Sequence, residues 1–504
     1  MRRKGLPTFL GLLACLVLAI PASAMSAEQF EKNLTVHKLD NGLTLLIYER
    51  PVAPVVSFFN VVNVGSAQEV PGITGLAHMF EHMAFKGTTR IGTKDYKAEQ
   101  KALEAVDAAY AALAAERRKI DGGDPARIAE LEEAFEAAQE AAGEYVEPNE
   151  FDDIVARAGG VGMNAFTNSD TTGYFFSMPA NKLELWAYLE SERFRDPVFR
   201  EYYKERDVVM EERRLRTDSQ PIGRMIEQVL AAAYTAHPYG QPTVGYMSDL
   251  LSITREDAEA FHRKYYVPSN ITISIVGDID AKKSLPMLRK YFGRIPAGEA
   301  PEPLRTVEPK QIAERTIVLR DPSQPVYAEA YHRPAAGHPD DAVYDALSDI
   351  LSTGRTSRLY RRLVRDEQIA AFAGAFNGFP GTKYPSLMLF FGIATPQGSN
   401  EAIQAAVRDE IEKLKNEPVG DDELAAVKTR AKANLIRGLA NNGGIAGQLA
   451  TTHAQLGDWK EIFRQVERIE KVTTDDIMRV AQETFTPSNR TVATIETDAE
   501  TAAK

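Results

Sequence analysis

The sequence is nearly without cysteine: Cys15 is the only one among 504 residues. It lies in an amino-terminal apolar run, so a chain beginning near Met25 would have none. That excludes disulfides and thiolate metal ligands, and it suits an oxidising compartment. Basic charge is also short. Lys and Arg number 59 against 71 Asp and Glu, for a net charge of -12. The basic stripe of a nucleic-acid binder is therefore missing. Histidine is scarce, with eight in the whole chain, so any clustering of them is informative. The apolar run Phe9 to Ile20 is too short to span a bilayer comfortably.

What is present begins with a targeting pattern. Arg2, Arg3 and Lys4 precede that apolar run, and Ala22-Ser23-Ala24 offers an Ala-x-Ala cleavage site. Residues 1–24 thus read as a signal peptide, which implies export across the inner membrane, with a periplasmic destination expected. Leu12-Leu13-Ala14-Cys15 offers a rival lipoprotein reading with an anchor on Cys15, but the apolar run continues past the cysteine.

The remaining chain, 44% hydrophobic, can bury a large core, and it reads as two related halves. Ile253-Thr254-Arg255-Glu256-Asp257 leads through a helical stretch to Pro268-Ser269-Asn270 and the strand Ile271 to Val276. Val472-Thr473-Thr474-Asp475-Asp476 leads at the same spacing to Pro487-Ser488-Asn489 and the strand Thr491 to Ile495. Each Thr is a natural helix N-cap and each Pro-Ser-Asn a turn. Asp40-Asn41-Gly42 marks a hairpin at the start of the first half. Thr316 to Leu319 and Val326 to Tyr331 open the second. The expectation is an α+β fold of two homologous domains, each a mainly antiparallel sheet with helices packed on one face. They would span 25–295 and 310–504, joined by a Pro-, Gly- and Glu-rich linker at 296–309. Residues 96–146, rich in Ala, Glu and Lys and broken at Gly122-Gly123-Asp124-Pro125, read as an inserted antiparallel helical hairpin projecting from the first domain, with a coiled-coil seam.

The chemistry is concentrated at His78-Met79-Phe80-Glu81-His82. On a helix, His78 and His82 lie one turn apart on one face and can share a zinc ion. Glu81, on the edge of that face, can act as general base on a water. This reverses the His-Glu-x-x-His order with the same logic. With eight histidines, chance produces it about once in a hundred chains. The third ligand is expected on the helical segment Glu201 to Thr217, where Glu205 and Glu212, seven residues apart, share a face. One can bind the metal while the other hydrogen-bonds an imidazole, and periodicity leaves open which does which. Arg206 and Asp207 are expected to face solvent.

His78-x-x-Glu81-His82 followed by Met83-Ala84-Phe85-Lys86-Gly87-Thr88 resembles the pitrilysin family (the insulin-degrading enzyme and mitochondrial processing peptidase family), and the chain is most similar to its short bacterial members. The resemblance covers about Lys32 to Thr497 except the hairpin. It implies that Glu212 is the third zinc ligand and Glu205 its supporting partner. It also implies that Asn164, Ala165 and Phe166 form an edge strand that binds substrate by β-augmentation. Arg365 corresponds to a substrate-binding arginine. The tyrosine expected seven residues on, an oxyanion donor, is replaced by Phe372, which cannot donate a hydrogen bond.

These readings together describe a secreted zinc metalloendopeptidase acting on peptides or unfolded polypeptides, with one zinc per chain and Glu81 as base. The chain would pair as a homodimer or with a metal-free homologue that carries the Arg and Tyr. The second of these is favoured by Phe372. A catalytically inactive partner subunit of a heteromeric peptidase is the alternative.

Overall fold

The computed structural model describes residues 26–498. Residues 1–24, expected to be a signal peptide, lie outside the described residues, and Cys15 with them. Eleven strands form two sheets. The first holds β1 (Leu34–Lys38), β2 (Thr44–Glu49), β3 (Val55–Val62), β4 (Val161–Thr167), β5 (Thr172–Pro179) and β6 (Ile271–Gly277) in the order β1-β2-β6-β3-β5-β4. The second holds β7 (Arg315–Asp321), β8 (Val326–Arg333), β9 (Ala370–Phe379), β10 (Ser386–Ala394) and β11 (Arg490–Thr497) in the order β7-β11-β8-β10-β9. Without β1 the two orders correspond strand for strand. The β2/β6 and β7/β11 pairs are parallel and every other pairing is antiparallel.

The duplication holds at the level of single atoms. Thr254 and Thr473 each cap a helix and form a reciprocal capping box, with Asp257 and Asp476 respectively. The amide of Asn270 donates to the carbonyls of Tyr265 and Asn63, at 2.9 and 3.3 Å, and fastens the turn to the strand before it. Asn489 does the same to Thr484 and His332, at 3.0 and 2.9 Å.

Each half buries its own core between one sheet face and its helices. The opposite sheet faces are covered by an exchange. The helix Pro221–Ala233 leaves the first half and lays Met225, Val229 and Leu230 on Val326, Ala328 and Leu389 of the second sheet. The helix Asn442–Leu456 returns the favour, with Ile445, Ala446 and Leu449 against Leu46, Tyr48 and Val276 of the first. Gly447 lies on that contact, where a Cβ would come 3.2 Å from the Phe59 ring. Apolar strands such as β6, buried along its whole length, need cover on both faces, and each half obtains the second cover from the other. No helix or strand occurs between Phe292 and Arg315.

The inserted hairpin is present as Tyr96–Arg117 and Pro125–Gly143, turning at Gly122 and Gly123, both at positive φ. Its base is not a free arm: Leu103, Val106, Tyr110 and Ala142 are part of the first core. The tip is exposed around Ile120.

Candidate metal centre

The histidine helix is short, Leu76–Met83, and its start lacks a capping side chain of its own. Gly75 enters it at φ 88, in close approach to Gly245, and a Cβ there would lie 2.6 Å from the Val244 carbonyl oxygen. Only glycine fits. The cap is supplied from a distance. Buried Glu69 accepts the backbone N–H of Gly75 (2.8 Å) and of Ala77 (2.6 Å), and Asp249 accepts those of Gly72 and Thr74. Burial raises the Glu69 carboxyl to about 8, with the two N–H groups pulling the other way. Sequence reading missed both residues, because a cap six or more positions away has no periodic signal.

The glutamate helix runs Tyr202–Arg213 and continues into a π-helical turn at Arg214–Asp218. It brings both glutamates to the histidines. His78 Nε2 lies 3.5 Å from Glu212 Oε1, and His82 Nε2 lies 3.5 Å from Glu212 Oε2. A tetrahedral ion with bonds of about 2.0–2.1 Å requires ligand atoms about 3.4 Å apart, so the three donors fit zinc. Their ligand atoms all lie within 4.8 Å of one another, the one such group found among the described residues. Glu205 stands behind them, with its Oε1 2.8 Å from His82 Nδ1 and its Oε2 2.8 Å from Lys86 Nζ. That contact leaves His82 Nε2 available to a metal.

The two imidazoles sit in different electrostatic surroundings. Burial, then the neighbouring His82 and Arg216 charges, lower His78 to about 3, which keeps it in the neutral, ligating form. Burial also works to lower His82, but its bond to Glu205 and the surrounding carboxylates hold it above the ordinary value. That same bond, opposed by burial and aided by Lys86, takes Glu205 down to about 2. Glu81 is raised, chiefly by burial, against a hydrogen bond from Thr167. His78 Nδ1 is buried with no partner among the described residues.

These groups open on a cleft of about 630 Å³ whose lining includes His78, Glu81, His82, Glu212 and the β4 residues Asn164, Ala165, Phe166 and Thr167. β4 is the free edge of its sheet. Phe85, Lys86 and Arg216, not foreseen as site residues, also line it. Arg365 is not brought there. It is exposed, pairs with its neighbour Asp366 at 2.6 Å, and lies in the second half with Phe372, itself 42% exposed beside Phe376. One expectation is corrected. Asp207 faces solvent, but Arg206 is buried, its guanidinium 2.7 Å from the Tyr110 hydroxyl and within 3.3 Å of the Leu251 and Ile253 carbonyls. The hairpin base covers that side of the helix, and periodicity could not foresee a cover from an insertion.

A duplicated α+β chain with an inverted His-x-x-Glu-His helix facing two glutamates is the architecture of a metallopeptidase family. Residues 45–114 and 140–246 match the model described as Insulinase (Peptidase family M16), and 252–431 match Peptidase M16 inactive domain. The chain belongs to the peptidase M16 family. It is 29% identical to the zinc protease PqqE of Helicobacter pylori, over 97% of this chain and 99% of that one. It is 23% identical to an uncharacterized zinc protease of Rickettsia felis, over 90% and 96%. The crystal structure of a protease from Helicobacter pylori superposes with a TM-score of 0.77 at 28% identity, covering 92% of this chain and 99% of that one. In fold it is also similar to the first half of the periplasmic protease PqqL from Escherichia coli (TM-score 0.67, 19% identity, 94% and 93% covered). The unmatched residues 115–139 are the outer part of the hairpin.

Proposed function

We propose that this chain is a zinc metalloendopeptidase acting on peptides or unfolded polypeptides. The observation that carries the reading is the approach of His78 Nε2 and His82 Nε2 to the two oxygens of the Glu212 carboxylate, each at 3.5 Å, beside Glu81. Zinc held there would supply Lewis acidity to the scissile carbonyl and to the attacking water. Glu81, its carboxyl raised by burial and held by Thr167, takes the proton from that water and delivers it to the leaving amine. Glu205 fixes the His82 ring. Substrate lies extended along β4, adding a strand at Asn164 to Phe166, so recognition falls mainly on its backbone.

The catalytic unit is 25–295 and the homologous unit without metal is 310–504, joined at 296–309. Within one chain the second half offers no oxyanion donor, since Arg365 lies outside the cleft and Phe372 has no hydroxyl. We infer a closed chamber made with a second chain, favouring a metal-free homologue that carries the Arg and Tyr. The periplasmic location is inferred from residues 1–24. Among the described residues no helix is long and apolar enough to cross a membrane. The test is zinc-dependent cleavage of unfolded peptides by the purified chain, alone and with a candidate partner. No cleavage under either condition would leave only the inactive-subunit reading, and full turnover alone would remove the partner.

A further inference from the structure

The two ligand-bearing helices are held together by one buried guanidinium. Arg200, 1% exposed, sits two residues ahead of the glutamate helix. Its NH1 donates to the carbonyls of Lys86 (2.5 Å) and Ile91 (3.0 Å) and its NH2 to that of Thr88 (2.8 Å), all in the turn that leaves the histidine helix. Nε and NH2 also reach the two carboxylate oxygens of Glu99, at 2.7 and 3.2 Å. Glu99 is fully buried in the first turn of the hairpin. The turn is shaped around this group. Gly87 and Gly92 have φ of 96 and 82, and a Cβ at either would lie 2.7 or 2.8 Å from Arg200 NH1. Lys86, one residue before Gly87, is the same lysine that holds Glu205.

We propose that the Glu99–Arg200 pair is the positioning element of the metal centre, setting the separation of the two helices and hence the approach of Glu212 to the histidines. The inference rests on the zinc reading above. Glu212 lies ten residues beyond the start of the helix at Tyr202, about 15 Å along it at 1.5 Å per residue. A tilt of about 5° at the start of the helix would shift Glu212 by about 1.3 Å, whereas zinc sites tolerate about 0.2 Å. Among the described residues Glu99 is the only carboxylate paired with Arg200. Without its charge, a buried guanidinium is drawn towards water and takes the start of the helix with it. The hairpin base therefore acts on the metal through the helix it anchors and never touches the cleft.

The experiment is zinc affinity, by competition with a chelating indicator, and the visible absorption of the Co2+-substituted protein, for Glu99→Gln, Glu99→Asp and Arg200→Lys. Leu347→Ala, in the core of the second half, serves as a destabilised comparison. Glu99→Gln and Arg200→Lys should bind zinc about 10- to 100-fold more weakly, with altered cobalt bands. Glu99→Asp should recover part of the loss, and Leu347→Ala should bind normally despite a lowered melting temperature. Should Glu99→Gln not fold, Glu99→Asp and Arg200→Lys carry the measurement. Wild-type affinity and spectra in the folded Glu99 and Arg200 variants would overturn the proposal, as would equal weakening by Leu347→Ala. A wild-type chain that takes up no zinc would overturn the metallopeptidase reading as well, and that distinguishes the two failures.

Discussion

The two halves place a helix at the same point of the same sheet, and the contents of that helix separate them. In the first half the face turned to the edge strand carries His78, Glu81 and His82 and opens on the cleft. In the second, the helix Asp341–Ser352 carries Asp345, Ser348 and Asp349 at the same i, i+3, i+4 spacing. There every group is already engaged. Asp349 is paired with Arg430, Asp345 accepts from Asn377 and Gln465 at 2.7 and 2.6 Å, and Ser348 donates to the Ala375 carbonyl at 2.9 Å. A face whose groups pair with scattered partners stabilises a domain, whereas His78, His82 and Glu212 converge on one point and can hold a metal. The difference teaches that both copies share the scaffold while in only one do imidazoles and a carboxylate converge, with Arg216 pairing the Glu212 carboxylate at 2.5 Å from the cleft side.

The largest effect should come from Glu81→Gln, which keeps the ligands. Turnover should fall by about 10²–10⁴-fold at unchanged zinc content, while Ser348→Ala in the second half leaves turnover intact. A peptidase assay alongside metal analysis decides this, and an active Glu81→Gln would break the assigned mechanism. Glu212→Gln should cost the bound zinc, seen as loss of the melting-temperature rise that zinc gives over chelator. In the second half Asp349→Asn, at the position that corresponds to His82, should retain zinc and cost only about 1–2 kcal/mol of stability, read by denaturant unfolding. Glu205→Gln should keep the site assembled and weaken zinc about 10- to 100-fold in chelator competition. The smallest effect is expected from Phe372→Tyr. If a different chain supplies the oxyanion donor, turnover of this chain alone will not change. A tenfold rise would show instead that copies of this chain complete one another's sites.

The histidine helix, its two glutamates and the duplication were legible because each follows from short-range spacing, at four residues for the imidazoles, seven for the carboxylates and equal intervals for the Thr-to-Pro modules. The hairpin was legible for the same reason. Arg206 was misplaced because its burial depends on Tyr110, 96 residues earlier in the chain. Glu69 and Asp249 escaped notice because a capping carboxylate acts through distance in space.

The amino-acid sequence by itself determined the histidine pair, the two candidate glutamates, their helical phasing and the two-half plan, since residue identity and local periodicity suffice for these. The choice of Glu212 and the reading of Phe372 as a missing hydroxyl came from the family resemblance. Only the tertiary structure decided that each half covers the other's sheet, that Arg365 lies away from the cleft, and that Arg200 joins the two ligand helices under the charge of Glu99. Those outcomes depend on which distant surfaces exclude water together and on where a buried charge finds its partner, and neither is written in neighbouring residues.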